Sequence, residues 1–417
     1  PGETGVWTTT ARMRTLRTPK AWPEPEFGFP ELSFRSWYER LHGQAAYNEL
    51  GRIPRTTWAQ YVAWFEQVVG VPVRHETRLV GVTPGADHLA LRLAVTRADG
   101  GADERIETTR KLVLANGVHG TGGPALPPAF VGLPTHLAAH TGDRIDFGAL
   151  TGRTVAVLGA GASALDAVGA ALEAGAPEVH LFTRRPELIV QGPKGGGGQT
   201  LGARENFHRR SDADRWRAKA VAARAGRSCT LESVERAAAF PGFRVHLAAP
   251  WHNAQVEDGR VRVDAADGSH LFDFVIAGTG YQYDPRTRPE LREIASHVAL
   301  WADRYQPPAD LADESLARFP YLGHGYELIE KHPGAAPWAG RIHVFSAAAG
   351  LSFGIPVGDV QSLATGIPRL IDALGNDLYF EDQQLAEPPA QASAPAESLR
   401  AVYEHAIWNP ALLPAQA

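Results

Sequence analysis

An α/β fold organised around a parallel sheet is what this sequence predicts, on three observations. Val155–Leu158 is a short apolar run that leads straight into Gly159-Ala160-Gly161-Ala162-Ser163-Ala164. An Ala/Leu/Val-rich stretch, Ala164–Ala174, follows at helical spacing, and a second apolar run, Val179–Phe182, comes next. Strand, tight turn, helix and strand in that order make a βαβ unit. Further apolar runs, Lys111–Gly117, Phe272–Ala277 and Ile342–Ser346, end at loops, as strands buried in such a sheet do.

The remaining elements follow in chain order. Residues 1–50, rich in Pro, Trp, Phe and Arg without periodicity, read as loops and short pieces over a core. Arg55–Val69 carries Trp58, Tyr61, Val62, Phe65 and Val69 at helical spacing, and these aromatics read as core. Leu79–Val82 and Leu89–Val95 read as strands, with Gly100-Gly101 as the turn into Ile106–Leu114. Residues 191–202, QGPKGGGGQTLG, lack hydrophobic anchors and read either as a surface connector or as a lid over a ligand. Ala203–Ala239 is expected to be helical, and Phe243–Leu247 and Val261–Val263 are short strands. A helix near Val360–Leu374, a linker at Gln383–Ala396 and a short terminal helix complete the chain.

Bulk properties narrow the function. The 417 residues suffice for two domains, and a net charge of −5 with dispersed basic residues argues against a nucleic-acid partner. No run of about 20 apolar residues is present, so no membrane span is expected. The single cysteine, Cys229, permits neither an intrachain disulfide nor a dithiol centre, and a cytoplasmic location is expected. The 16 histidines show no metal-ligand spacing, and no metal is expected. The chain starts at Pro1, in a segment that reads like the middle of a fold, so preceding residues are expected to be missing.

The glycine pattern carries the chemistry. Gly159 permits the tight turn, Gly161 lets backbone approach a pyrophosphate, and Ala164 allows close helix–strand packing. The free amides at the start of the helix, beside Ala162, and its positive end suit phosphate, and Ser163 can add a hydroxyl donor. The end of the second strand then selects the cofactor. An NAD site places Asp or Glu there for the ribose 2′-hydroxyl, whereas this sequence has Thr183, Arg184 and Arg185, which suit a 2′-phosphate. The unit is expected to bind NADPH.

Further stretches resemble the class B flavoprotein monooxygenases: flavin-containing monooxygenases, Baeyer–Villiger enzymes and N-hydroxylases. Gly5-Val6-Trp7 resembles their G-G-x-W turn, and Arg14–Lys20 their R-L-x-T-P-K run beside the flavin, including Thr18. Pro54–Phe65 is similar to their P-R-x-x-x-x-x-Y-L helix. Leu114-Ala115-Asn116-Gly117 and Ala277-Gly278-Thr279-Gly280-Tyr281 resemble the two A-T-G strand ends where the chain leaves and re-enters the FAD domain. The family's F-x-G-x-x-x-H fingerprint has two registers here. Phe130, Gly132 and His136 match its spacing, while His140-Thr141-Gly142 better matches its surroundings; His140 is preferred. The Trp-Pro of Baeyer–Villiger enzymes is missing under either register.

The resemblance implies two Rossmann-like domains with the NADPH domain inserted into the FAD domain: residues 1–150 and 281–380 for FAD, 151–280 for NADPH, and 381–417 as linker and tail. It implies FAD and NADPH as cofactors, with O2 and a small organic substrate as partners, and leaves homo-oligomerisation open. It also implies oxygen transfer to an amine, a sulfide or a ketone through a C4a-(hydro)peroxyflavin. The FAD fingerprint with its preceding strand is not in the sequence, and truncation is the expected reason. Two readings from other classes stay open at this point, an NADPH-dependent flavin reductase or oxidase and a flavin-free NADPH-binding sensor.

Overall fold

Val155, Ala156 and Val157 are fully buried, as an uninterrupted apolar run must be when both faces of its strand are covered. In the computed structural model, which describes residues 5–22, 25–190, 201–226, 228–354, 360–385 and 399–408, they form the middle of a parallel sheet. The chain divides into two compact units, Pro1–Asp372 and Ala373–Ala417.

The first unit opens with α1 (Phe34–His42), α2 (Gln44–Glu49) and α3 (Arg55–Val69). α1 and α2 fall where the sequence suggested loops; Ser33 caps α1 by accepting from the Ser36 N–H. Phe34, Trp37, Trp58 and Tyr61 bury their rings together, with Trp7 packed edge-on to Trp58. Next comes a meander of β1 (Thr77–Pro84), β2 (Leu89–Thr96) and β3 (Ala102–Thr109), then β4 (Leu112–Leu114), β5 (Gly123–Pro124) and β6 (Ala138–His140).

The nucleotide-type unit follows: β7 (Thr154–Leu158), α4 (Ala162–Glu173) and β8 (Glu178–Phe182). Ala203–Ala239, expected as helical throughout, is divided into α5 (Leu201–Asn206), α6 (Asp212–Ala225) and α7 (Leu231–Ala238). Ser211 and Thr230 cap α6 and α7, and Gly226, with φ +69°, ends α6. Then come β9 (Phe243–His246), β10 (Trp251–Glu257), β11 (Arg260–Ala265), β12 (Gly268–Phe272), β13 (Phe274–Ala277) and β14 (Tyr281–Gln282). The run Phe272–Ala277 is two strands rather than one. Asp273 breaks it, giving its N–H to the Thr154 carbonyl and accepting from the Thr154 N–H and hydroxyl as the chain passes from one sheet to the next. β10 escaped the sequence reading because its exposed, polar residues show no alternation.

The unit ends with α8 (Glu314–Ala317), β15 (Ile342–Val344), α9 (Gly350–Phe353) and α10 (Val360–Leu385), which is longer than the periodicity suggested and contains Pro368. The second unit carries the end of α10 and α11 (Arg400–Tyr403). No helix among the described residues is long and apolar enough to cross a membrane.

The five parallel strands lie in the order β6-β13-β7-β8-β9. One face is covered by α4 and α7, through Leu165, Val168, Leu172 and Ala237; the other packs on the antiparallel β10-β11-β12 sheet through Val261, Val263 and Phe272. Each fully buried Val or Leu of this sandwich contributes roughly 1.5–3 kcal/mol. A second parallel pair, β4 with β15, and the antiparallel pair β5 with β14 lie elsewhere in the unit.

Candidate functional site

The register of the parallel sheet sets His140, Ala277, Leu158, Phe182 and His246 in one row at its carboxyl edge. The strand order reverses between β13 and β7, β8 and β9 lying on one side of β7 and β13 on the other, and ligands of open α/β sheets bind at such a switch point. One residue further on, the loops are tied together: Thr141 N–H to the Ala277 carbonyl (2.9 Å), Gly278 N–H to Leu158 (2.7 Å), Gly159 N–H to Phe182 (2.9 Å) and Thr183 N–H to His246 (3.0 Å).

Gly159 has φ +116°, and a Cβ there would sit 2.4 Å from the Gly278 carbonyl oxygen. A Cβ on Gly278 would in turn meet the Ala164 Cβ at 2.5 Å. The three small residues therefore form one close approach of turn, helix and neighbouring strand. Gly161 is the N-cap of α4 and supplies no side-chain bond. The first-turn amides of Ala162 and Ser163, the latter exposed, are thus left to water or an anion.

At the next strand end Thr183 is buried, and its hydroxyl accepts from the Arg185 N–H at 3.2 Å. Arg185 is half-buried and donates to the Ala225 carbonyl at the C-terminus of α6, at 2.9 Å. Arg184 is exposed and makes no ion pair among the described residues. Of the two, Arg184 is the one whose guanidinium is available to a phosphate.

The two fingerprint histidines part company. His136 is exposed at the opposite, amino edge of the sheet, beside Arg153 and Asp273, away from the glycine turn. His140 lies at the carboxyl edge, 2% exposed. Its Nδ1 accepts from the Gly142 N–H (2.9 Å) and its backbone N–H donates to Asp143 (2.7 Å); Nε2 is buried and has no hydrogen-bond partner among the described residues. Burial holds the imidazole below its ordinary pKa, so the ring is neutral. Tyr281 packs edge-on to both His140 and His119, with centroids 5.2 Å away in each case. Arg12 clamps the loop, donating to the Thr141 and Asp143 carbonyls.

Asn116 and Gly117 are exposed just beyond β4, and Thr279 and Gly280 follow β13. The two passages run side by side. Thr279 donates its hydroxyl to the Ala125 carbonyl (2.6 Å), Ala125 N–H reaches the Gly280 carbonyl (2.9 Å), and β14 pairs with β5. Beyond β4 and β15, Thr121 and Ser346 are both fully buried with hydroxyls that find no partner among the described residues. Thr18 lines a small crevice with Lys20, Trp22 and Trp58. Trp7 leans on the same aromatic cluster, and exposed Gly5 precedes it with φ +86°. The structure thus gathers the glycine turn, Thr183–Arg185 and His140 at one edge, and places Gly5, Trp7 and Thr18 with the aromatic helices. The expected lid, Gly195–Gly198, lies outside the described residues.

Sequence reading did not single out Arg12, His119, Thr121, Asp166 or Ser346. Asp166, buried in α4, pairs with Arg17 and accepts from the Ser233 hydroxyl at 2.8 Å; Glu173 on the same helix pairs with Arg14 and Arg236. Arg14 and Arg17 of the Arg14–Lys20 run are thereby spent on holding it to the Rossmann helix, while Lys20 donates to the Tyr47 and Asn48 carbonyls of α2. The only sequence signal for this was an acid at i and i+7 of α4, a spacing common on solvated faces.

The profile of the L-lysine 6-monooxygenase/L-ornithine 5-monooxygenase family matches residues 16–192. Solved structures of an ornithine N-hydroxylase from Kutzneria sp. 744 (TM-score 0.66, 17% identity, 90% of this chain and 91% of that one) and of the ornithine hydroxylase from Pseudomonas aeruginosa (TM-score 0.68, 17% identity, 91% and 90%) share the fold. At 37% identity over 391 residues, the chain is similar to the FAD-dependent urate hydroxylase of Xanthomonas campestris pv. campestris, spanning 92% of this chain and 80% of that protein. The chain belongs to the flavin-dependent monooxygenase family that includes this urate hydroxylase.

Proposed function

We propose that the protein uses NADPH and FAD to insert one oxygen atom from O2 into a small organic substrate, and that this substrate is a urate-like planar heterocycle. The observation that carries the first part is the cradle made by Gly159, Gly278 and Ala164 in front of the uncapped α4 N-terminus. It fits a pyrophosphate, and Arg184 stands where a 2′-phosphate calls for a cation. For FAD, the buried unpartnered hydroxyls of Thr121 and Ser346 beyond β4 and β15 are donors that a polar ligand would satisfy. FAD supplies, when bound and reduced, the activation of O2.

The chain's own residues bind, orient and exclude water. α4 and the 183–185 turn hold NADPH. Neutral His140, fixed through Nδ1 by the Gly142 amide, offers an Nε2–H to whatever lies at the junction of the parallel sheet and the β5–β14 crossing. That crossing supports the reading of residues 151–280 as an NADPH module inserted between two FAD-side segments. The heterocyclic substrate is supported by 37% identity to a urate hydroxylase across most of the chain, against 17% for the ornithine hydroxylases. N-hydroxylation of a basic amine is the second reading, favoured by the family profile over residues 16–192.

The test is O2-coupled NADPH oxidation with purified holoenzyme. Urate should stimulate it and yield a product one oxygen atom heavier. Stimulation by L-ornithine or L-lysine but not by urate would shift the assignment to N-hydroxylation, and a protein that binds no flavin would overturn the monooxygenase reading.

A further inference from the structure

On the face of the parallel sheet turned toward the β10–β12 meander, three histidines and two acids from β8, β9, β12 and the β11–β12 turn converge. His246, the last residue of β9, meets Asp267, in the turn between β11 and β12, and His270 on β12. His246 Nδ1 is in hydrogen-bond contact with one carboxylate oxygen of Asp267, and His270 Nε2 lies 3.2 Å from the other. One ligand atom from each of the three falls within 4.8 Å of the others. The imidazoles of His246 and His270 face each other edge-on with centroids 4.9 Å apart. Behind them, His246 Nε2 shares a 2.8 Å hydrogen bond with His180 Nδ1, and His180 Nε2 lies 3.6 Å from Glu178.

We propose that His246, Asp267 and His270 form a binding site for a divalent transition-metal ion of the Zn2+ type. Two imidazoles and a carboxylate are a recurrent zinc donor set, with a fourth position left to water. Ligand atoms on a tetrahedral Zn2+ lie about 3.3 Å apart, from bonds of about 2.0 Å. Asp267 Oδ1 already lies at that spacing from His270 Nε2, His246 Nδ1 contacts the other carboxylate oxygen, and closing all three ligand atoms from within 4.8 Å onto one ion takes a small shift of the exposed hairpin turn. The outer partners also fit. A metal-bound imidazole donates its second N–H to an acceptor that fixes its orientation, as His180, backed by Glu178, does for His246.

The position gives the ion a structural consequence. The His246 carbonyl accepts from the Thr183 N–H, and Ala248 and Ala249 bond to the Arg185 and Thr183 carbonyls (2.7 and 2.8 Å). An ion shared by β9 and the β11–β12 hairpin therefore clamps the strand that carries the 183–185 turn. The proposal does not depend on the flavin reading.

Untagged full-chain protein, stripped with chelator, is titrated with Zn2+ by calorimetry, with bound metal counted by mass spectrometry after dialysis. One Zn2+ per chain with a raised Tm is expected. Asp267→Asn and His270→Ala should abolish the binding, and His180→Phe should weaken it by about tenfold or more. Co2+ provides a reading independent of stability: wild type should develop the visible bands of four-coordinate cobalt, and a circular-dichroism-verified His270→Ala should not. Absence of stoichiometric Zn2+ binding, or binding unchanged in all three variants, would overturn the site and leave the trio as a hydrogen-bonded surface network.

Discussion

Two carboxyl edges in this chain, that of the five-stranded sheet and that of the β4–β15 pair, are built by opposite means. The heart of the first comes from Val155–Arg185, so strand, glycine turn, helix and the turn after the second strand are contiguous. The second joins β4 to β15, more than 200 residues apart in sequence, and its features are two buried hydroxyls rather than a glycine motif. A short-range turn must write its steric demands into adjacent residues, whereas a long-range edge spreads them over segments that look ordinary alone.

The strongest way to break this contrast is Gly159→Val. A side chain at φ +116°, 2.4 Å from the Gly278 oxygen, costs roughly 1–3 kcal/mol in backbone strain alone and displaces β13. NADPH binding, followed by fluorescence titration, should weaken by about a hundredfold or vanish. An unaltered affinity would show that the turn does not cradle the pyrophosphate.

Arg184→Ala comes next. Loss of a charge-assisted hydrogen bond, worth about 1.5–3 kcal/mol, should raise the KM for NADPH by about 10- to 150-fold while leaving NADH use unchanged. Arg185→Ala should do less to the NADPH preference, since Arg185 is engaged by the Ala225 carbonyl. Equal effects on both cofactors would remove the 2′-phosphate assignment.

Ser346→Ala probes the second edge. Its hydroxyl has no partner among the described residues, so the variant should melt at the same temperature or higher. If the hydroxyl serves the flavin, the purified protein should retain several-fold less FAD by absorbance. Full flavin content would separate this edge from the cofactor.

The smallest effect is expected from pH. Burial lowers the His140 pKa, so below the ordinary value of about 6.5 the unfolded chain takes up a proton that the folded chain refuses. This contribution is complete above that pH and is lost as pH falls through the window beneath it. Urea denaturation at decreasing pH should show wild type losing more stability than His140→Gln. A parallel decline would mean that His140 is not the buried neutral base at this edge.

Much of the fold was legible where periodicity and glycine chemistry are local. The helix Arg55–Val69 was read to the residue, and β7, α4 and β8 to within two. Less legible were α1, whose Phe34, Trp37, Tyr38 and Leu41 fall at helical spacing over only two turns of a stretch read as loop, the still shorter α2, and β10, whose side chains point mostly to water. Of the candidate site, the close approach at Gly159 and Ala164 was legible because it demands small residues, and the structure sets Gly161 and the 183–185 turn at the same edge. His136 and His140 both satisfied a spacing rule, and only the sheet register put His140 at the carboxyl edge and His136 at the other end of the same strand.

The sequence alone determined the βαβ unit and its glycine turn, because a turn with positive φ and a close helix admits only the smallest residues. Tertiary structure alone decided which histidine faces the edge, which arginines are spent on Asp166 and Glu173, and that His246, Asp267 and His270 meet. Those are contacts across long loops, and contacts between distant segments leave no spacing in the sequence to read.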